Sequence, residues 1–443
     1  MSIKIKTLFL YFYLLLNLVG YCQTKNEDGK ILKKYPEAWY VQDLNELAST
    51  LIETHPQPFK FTSKEAFLAL LEEKKNAIDE TTNYGKFIWM CSEIIANVGC
   101  GHTNLGFFNQ EFHALPDSLR FPMNVRMVEN RFYVTDPLAN ADKVIAGNEI
   151  FSINGVSMQT IAAGIYKHIA SDGHSKGIKK KHLNIEFNSY VPYYFGFPDS
   201  YEVLIKNRQQ PIQLKPIKKY DWNPQNGYGN PCKEQLCYEI NEIKKYAILS
   251  VRSFAFYGDK APIFKRFIDE SFEDIRAKGI ENLIIDVRGN GGGPSTTTSY
   301  LLRHFADKPY TYFTPNTPYG EDFKKPMLPF PTAFTGNTYI LMDNGGFSAT
   351  GLFLSLVQQN EFAVLIGEEN GSTYTCNDNS ERFTLTHTGI SFKVARSTFT
   401  TTAKNLRDDQ GILPDHYVVQ SIHDFLKGTD TVLDYAIDLI DNE

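Results

Sequence analysis

The spacing of apolar residues along the chain falls into three regimes, and each predicts its own architecture. From Val41 to about Ile95 the repeat is helical. Leu44, Leu47, Leu51 and Ile52 share one face, Phe67, Leu68, Leu70, Leu71 and Ile78 a second, and Phe87, Ile88, Met90, Ile94 and Ile95 a third. Ser63, just ahead of Lys64-Glu65-Ala66, is placed to cap the middle helix. Between about 116 and 217 the period moves towards two, with strands expected at 121–125, 131–134 and 201–205. From about 243 to 425 unbroken apolar strands (246–251, 283–287, 339–342, 363–366) alternate with helices that start near Pro262, lie near Tyr300 and run from Ala349 to Gln358. Gly279 is the expected stop of the helix from Pro262. Strands that are apolar throughout and joined by helices indicate a buried, largely parallel sheet with right-handed crossovers. The fold class is therefore α/β and multidomain, with helical and β-rich segments ahead of the sheet.

With 443 residues the chain exceeds what one hydrophobic core usually serves. Lys4 and Lys6 followed by the apolar run 8–16 have the form of a secretory signal peptide, so cleavage near Cys22 and an address outside the cytoplasm are expected. A lipoprotein anchor on Cys22 is the alternative, against which Tyr21 is bulky. The run is short for a membrane span, and no later segment is long enough, so the mature protein is expected to be soluble. The expected division is a signal peptide at 1–22, a helical domain at 23–115 that carries His102, a β-rich domain at 116–218, the main α/β domain at 219–425 and a C-terminal helix at 426–443. Lys and Arg number 45 against 51 Asp and Glu, a net charge of −6 that becomes more acidic once Lys4 and Lys6 are removed. An acidic chain without a basic block argues against nucleic acid as a partner. Cys232 and Cys237, or Cys91 and Cys100, are spaced to close small loops in an oxidising compartment, and Cys376 is expected to stay free. No cysteine or histidine spacing suggests a metal site, and no cofactor is expected.

The candidate chemistry lies after the apolar strands. The strand at 339–342 runs through Asp343-Asn344-Gly345-Gly346-Phe347 into Ser348, at the mouth of a helix. A serine there is a common cap, but it is also a good nucleophile site, because unpaired N–H groups and the helix dipole favour an oxyanion. The strand at 283–287 likewise ends in glycines, 289 and 291–293. Both turns fall beyond the carboxyl ends of the strands, where such sheets place their sites. Acyl transfer needs a nucleophile, a base, a group that orients the base and oxyanion donors. Ser348 is the expected nucleophile. The N–H of Ala349 and one from Gly291 or Gly292 are the expected donors, glycine allowing close backbone approach.

Gly101-His102-Thr103, residues 286–293, Gly346-Phe347-Ser348-Ala349, Leu365-Ile366-Gly367-Glu368 and Gly411-Ile412-Leu413-Pro414-Asp415 together resemble, in order, the tail-specific and tricorn-like serine peptidases. That family also includes the retinoid-binding repeats of the photoreceptor matrix. The resemblance implies a crotonase/ClpP-like αβ peptidase core and a peptide or protein substrate. Residues 147–156 resemble the hairpin of PDZ domains, which bind extended peptides at a sheet edge. Lysine enzymes of the family place their base in a turn after the Gly-Glu pair, but no lysine lies between Ser348 and Lys393. Similarity to the tricorn-like branch therefore implies His102 as general base, and histidine titrates where such a base should. The same branch implies an orienting acid just before Gly411, for which Asp408 is favoured over Asp409. Its serine ahead of the histidine is replaced here by Gly101. Two alternatives remain open. One is an α/β-hydrolase esterase using Ser348, Asp378 or Asp409, and His416. The other is a non-catalytic homologue that binds a peptide or an apolar ligand.

Overall fold

The computed structural model describes residues 29–105, 115–216 and 232–442. The expected signal segment and Cys22 lie outside them. Among the described residues no helix is long and apolar enough to cross a membrane.

Three helices open the described residues, α1 (Glu37–Thr54), α2 (Lys64–Asn76) and α3 (Tyr84–Asn97). The Ser63 side chain caps α2 by accepting the Ala66 N–H at 3.1 Å, as its place in the sequence predicts. After α3 the chain turns at Gly99 and forms the two-residue strand β1 (Asn104–Leu105), with His102 between them. A second unit holds β2 (Asn124–Val128), β3 (Arg131–Asp136), β4 (Glu149–Ile153), β5 (Val156–Ser157), α4 (Met158–Tyr166), α5 (Gly177–Phe195), β6 (Tyr201–Ile205) and β7 (Ile212–Leu214). Its strands are ordered β2-β3-β4-β6-β7, with β5 paired on β4. Asn154 and Gly155 both take positive φ (50° and 75°), the geometry an Asn-Gly hairpin turn requires. Helix α5 bends at Glu186 and packs on both α4 and β2. It shows little amphipathic pattern because residues 186–193 are all buried.

The third unit is built on the six-stranded sheet β19-β14-β13-β10-β9-β8. Its strands are β8 (Leu236–Asn241), β9 (Tyr246–Val251), β10 (Asn282–Asp286), β13 (Asn337–Met342), β14 (Val364–Gly367) and β19 (His416–Tyr417). All neighbours run parallel except β8, which is antiparallel to β9. Helices α6 (Ala261–Ala277), α7 (Ser295–Leu302) and α8 (Ala349–Asn360) make the crossovers, and a small ladder of β11 (Tyr310–Thr311) with β12 (Pro326–Met327) lies between α7 and β13. The crossover helices pack on one face of the sheet through Phe264, Ile268, Leu301, Phe353 and Leu356. After α9 (Ile422–Lys427), helix α10 (Thr431–Asn442) covers the other face, burying Val432 and Ala436 against Ile284, Tyr339, Leu341 and Ile366.

The chain between β14 and β19 forms an insertion of four short strands, β15 (Thr375–Asp378), β16 (Glu381–Thr384), β17 (Ser391–Val394) and β18 (Ser397–Thr400). β15 pairs with β18 and β16 with β17, while β17 also takes β1 as an antiparallel partner, Asn104 opposite Lys393. This pairing stitches the His102 turn to the sheet unit. The stitch is also apolar, since Phe392, Val394 and Ala395 share one hydrophobic core with Leu44 and Phe87 of the helices and Val134 and Ile153 of the second unit. Three chain segments thus converge beyond the carboxyl ends of the parallel strands.

Candidate active site

Strand β13 is buried from Thr338 to Met342, so its carboxyl end is rigid, and it delivers the loop Asp343–Phe347 to Ser348. Ser348 stands at the N-cap position of α8 but makes no side-chain capping bond. Its backbone is at φ 59° and ψ −126°, a region that non-glycine residues rarely occupy. The N–H donates to Ser372 Oγ at 2.9 Å, and Oγ lies 3.1 Å from His102 Nε2. The twisted backbone thus turns the hydroxyl away from the helix end and towards the imidazole.

His102 is buried, 7% exposed, and its ring stacks on Phe347 with centroids 4.6 Å apart. Nδ1 has no partner among the described residues. The ring is held by its neighbours instead. The Gly101 N–H donates to Asp172 Oδ1 at 2.9 Å, and Asp172 Oδ2 accepts from Ser372 Oγ at 3.1 Å. Asp172, in the turn after α4, therefore touches the backbone beside His102 and, through Ser372, the backbone of Ser348. Burial pushes the Asp172 pKa up, opposed first by the nearby His102 charge and then by the Gly101 N–H. A side chain at position 101 has no room, since its Cβ would stand 2.7 Å from the Phe347 ring. Asp378 Oδ2 is 3.7 Å from His102 Nε2, the nitrogen that also faces Ser348, so it does not serve Nδ1.

The glycine loop after β10 is fastened at three points. Arg288, fully buried, pairs with Asp286 (Nη2–Oδ2 2.7 Å) and with Asp430 (Nη2–Oδ2 2.6 Å), which leads into α10. Asp343 Oδ1 accepts from the N–H groups of Gly289 (2.8 Å) and Gly345 (3.0 Å), joining the two loops. Asn290 accepts the Phe347 N–H on its carbonyl and donates from its amide to Val251 O, both at 2.9 Å. The Asn290 Oδ1 also accepts the Gly292 N–H at 2.9 Å. That bond corrects the expectation for Gly292, whose N–H is used within the loop. The N–H groups of Gly291 and Ala349 have no acceptor among the described residues.

Asp408 does not orient His102, a second correction. It lies on the surface and pairs with Lys60 at 2.8 Å. Asp409 is held bidentately by Arg407. His416 sits on β19 and bonds Tyr435 at 2.9 Å, so the hydrolase arrangement of Ser348 with His416 does not form. Cys232 and Cys237 form a disulfide, whereas Cys91, Cys100 and Cys376 are buried free thiols. Ser348, His102, Gly291 and Asp378 line one cleft of about 420 Å³, together with Lys181 and Lys393. On the edge strand β2 of the second unit the Asn184 side chain of α5 takes both backbone groups of Met127, accepting its N–H (2.7 Å) and donating to its carbonyl (3.3 Å). Asp172, Ser372 and Lys181 carry no motif. No local signal in the sequence marks them.

Residues 245–418 match the sequence model of Peptidase family S41. No curated protein sequence matches the chain. Among solved structures, mature CPAF complexed with lactacystin superposes with a TM-score of 0.64 at 13% identity, over 92% of this chain and 99% of that one. A putative peptidase from Parabacteroides merdae gives 0.49 at 15% identity, over 90% and 96%. The photosystem II D1 C-terminal processing protease gives 0.42 at 11%, over 88% and 98%. The likeness to CPAF is one of fold and extends over nearly the whole length of both chains.

Proposed function

We propose that the chain, whose residues 245–418 match the sequence model of Peptidase family S41, is a serine peptidase of that family, an exported endopeptidase working through an acyl-enzyme on Ser348. The observation that carries the reading is the 3.1 Å approach of His102 Nε2 to Ser348 Oγ at a strained helix entrance. Ser348 Oγ attacks the scissile carbonyl while His102 Nε2 takes its proton. The tetrahedral oxyanion accepts from the Ala349 N–H, at the positive end of α8, and from the Gly291 N–H. The imidazolium then protonates the leaving amine. In the second half, water adds to the acyl group with His102 again as base, and Ser348 is released.

Asp172 is the positioning acid of this scheme. It fixes the backbone on both sides of the Ser348–His102 pair, and its charge favours the imidazolium that forms between them. The substrate docks in the cleft, since Asn184 already bonds the β2 edge at which a PDZ-like unit would add a peptide strand. Export is supported by the N-terminal pattern and by the Cys232–Cys237 disulfide, which suits an oxidising compartment.

The test is turnover of a fluorogenic mixed peptide library by residues 23–443. Ser348→Ala and His102→Ala should each lower kcat by roughly 10⁴-fold or more, and His416→Ala should have little effect. Asp172→Asn should lower kcat and move the acid limb of the pH–rate profile to lower pH, because the imidazolium loses a neighbouring negative charge. A merely structural Asp172 would leave that limb in place. Dependence on His416 rather than His102 would overturn the scheme.

A further inference from the structure

The active-site cleft carries more positive charge than peptide-bond chemistry requires. Its lining includes Lys181, His182 and Lys393, against the single carboxylate of Asp378. These three basic side chains are not equivalent. Burial pushes the Lys393 pKa down, opposed in part by the nearby Asp378 carboxylate. His182 Nδ1 faces Glu186 at 3.5 Å. Lys181 differs from both. Its Nζ makes one hydrogen bond, a long one of 3.3 Å to the carbonyl of Gly345, three residues before the nucleophile. Among the described residues no carboxylate lies within ion-pair distance of it, although Asp343 and Glu186 are near enough to act on its charge. Burial pushes the Lys181 pKa down.

An ammonium has three donors, and a buried one with a single neutral partner is costly unless an anion completes its shell. The position of Lys181 is not accidental slack. Helix α5, which carries it, is fastened to the sheet unit by an ion pair of Lys180 with Glu368 and by the close approach of Gly177 to the Asn370 carbonyl. The same helix is fixed on its other side by Asn184 to Met127 of β2. Lys181 is therefore presented by a rigid element, facing the loop that bears Ser348, in the same cleft.

Resting on the peptidase reading, we propose that Lys181 forms a subsite for a substrate carboxylate close to the scissile bond. The carboxylate is an Asp or Glu side chain of the peptide. The cleft then prefers an acidic group over its neutral isostere by roughly 10- to 100-fold, the range of a charge-assisted hydrogen bond made in a desolvated site.

The experiment uses the full chain after signal removal and one peptide scaffold with Glu, Gln or Lys at each position around the cleavage site, each made as the C-terminal acid and as the amide. Wild type should favour Glu over Gln at one position, in the acid and amide series alike. Lys181→Met should collapse that ratio towards one, and Lys181→Arg should keep part of it. A preference for the acid over the amide with none for Glu over Gln would assign the selectivity to the chain terminus and overturn the proposal. A wild type indifferent to charge, or a Lys181→Met variant that slows charged and neutral peptides alike, overturns the proposal. Binding of the same peptides to Ser348→Ala, with and without Lys181→Met, reads the preference without chemistry. If no peptide is turned over but this binding preference is present and lost with Lys181→Met, the catalytic reading fails and the subsite stands. Equal affinities for Glu and Gln peptides sink it. Met fills the space of the lysine stem, so thermal melting of Lys181→Met should confirm an intact fold.

Discussion

Ser348 concentrates the conflict between folding and function. At φ 59° and ψ −126° its backbone occupies a region that costs a non-glycine residue of order 1–3 kcal/mol, and the hydroxyl caps nothing. The strain is relieved only by removing Cβ, which gives a clean prediction. Ser348→Ala and Ser348→Gly should both be inactive, but the glycine variant should be more stable than the alanine variant by about 1–2 kcal/mol. Urea unfolding of the two proteins measures this, and equal midpoints would show that the backbone is not strained. Ser348 and His102 were legible because each sits in a short motif whose chemistry is local to it. Asp172 was not, because its partners, the Gly101 N–H and the Ser372 hydroxyl, are 71 and 200 residues away. Asp408 shows the converse. An acid chosen by its place in a resemblance belongs in the structure to whichever cation lies nearest, here Lys60.

At the scale of elements, the parallel strands were readable because burial on both faces leaves them apolar throughout, and the helices because their apolar stripes recur with the helical period. The strands β15 to β18 were not. They have four residues each, are rich in threonine and serine, and find their partners only after the sheet unit exists. The pairing of β1 with β17 is the extreme case, since nothing local to residues 104–105 announces a partner near 393. The glycine loop separates two kinds of glycine that look alike in sequence. A Cβ at Gly291 would meet nothing within 4 Å, whereas one at Gly292 would lie 2.7 Å from the Phe347 carbonyl and 2.8 Å from Ser348 Cβ, at φ 95°. Gly291→Ala keeps the N–H proposed for the oxyanion and should lower kcat/KM by less than about tenfold. Gly292→Ala displaces the nucleophile loop and should cost about 100-fold or more, comparable to the loss of an oxyanion donor. Parallel kcat/KM measurements on the two variants decide it, and an equal loss in both would mean that the loop tolerates neither for a shared reason.

For the molecule as a whole, the site exists only while three units stay docked, so its pH range is set partly by groups far from the chemistry. His168 is buried where the helices meet the second unit, stacked 3.5 Å from Trp89, and burial lowers its pKa to about 3. His55 and His304 are likewise lowered to about 4, first by burial. Each stays neutral in the fold but takes a proton in the unfolded chain once pH drops below about 6.5. The unfolded state then binds more protons, so stability rises with pH across this window and is lost on acidification from about 6.5 towards 4. Asp172 works the other way. Its raised pKa makes the fold the better proton acceptor just above the usual carboxylate range, which offsets a part of the loss. The Asp430 carboxylate, lowered against burial by its pairing with Arg288, adds its own loss only below the window. Between pH 7 and 5 the His168 contribution alone amounts to about 2 kcal/mol. His168→Phe keeps an aromatic ring against Trp89 and removes the titration, so its urea midpoint should fall less between pH 7 and 5 than that of wild type. Tryptophan fluorescence follows the transition directly at this contact. Identical slopes in the two proteins would mean that the histidine is already hydrated in the native state and that the docking of the units does not depend on its neutrality.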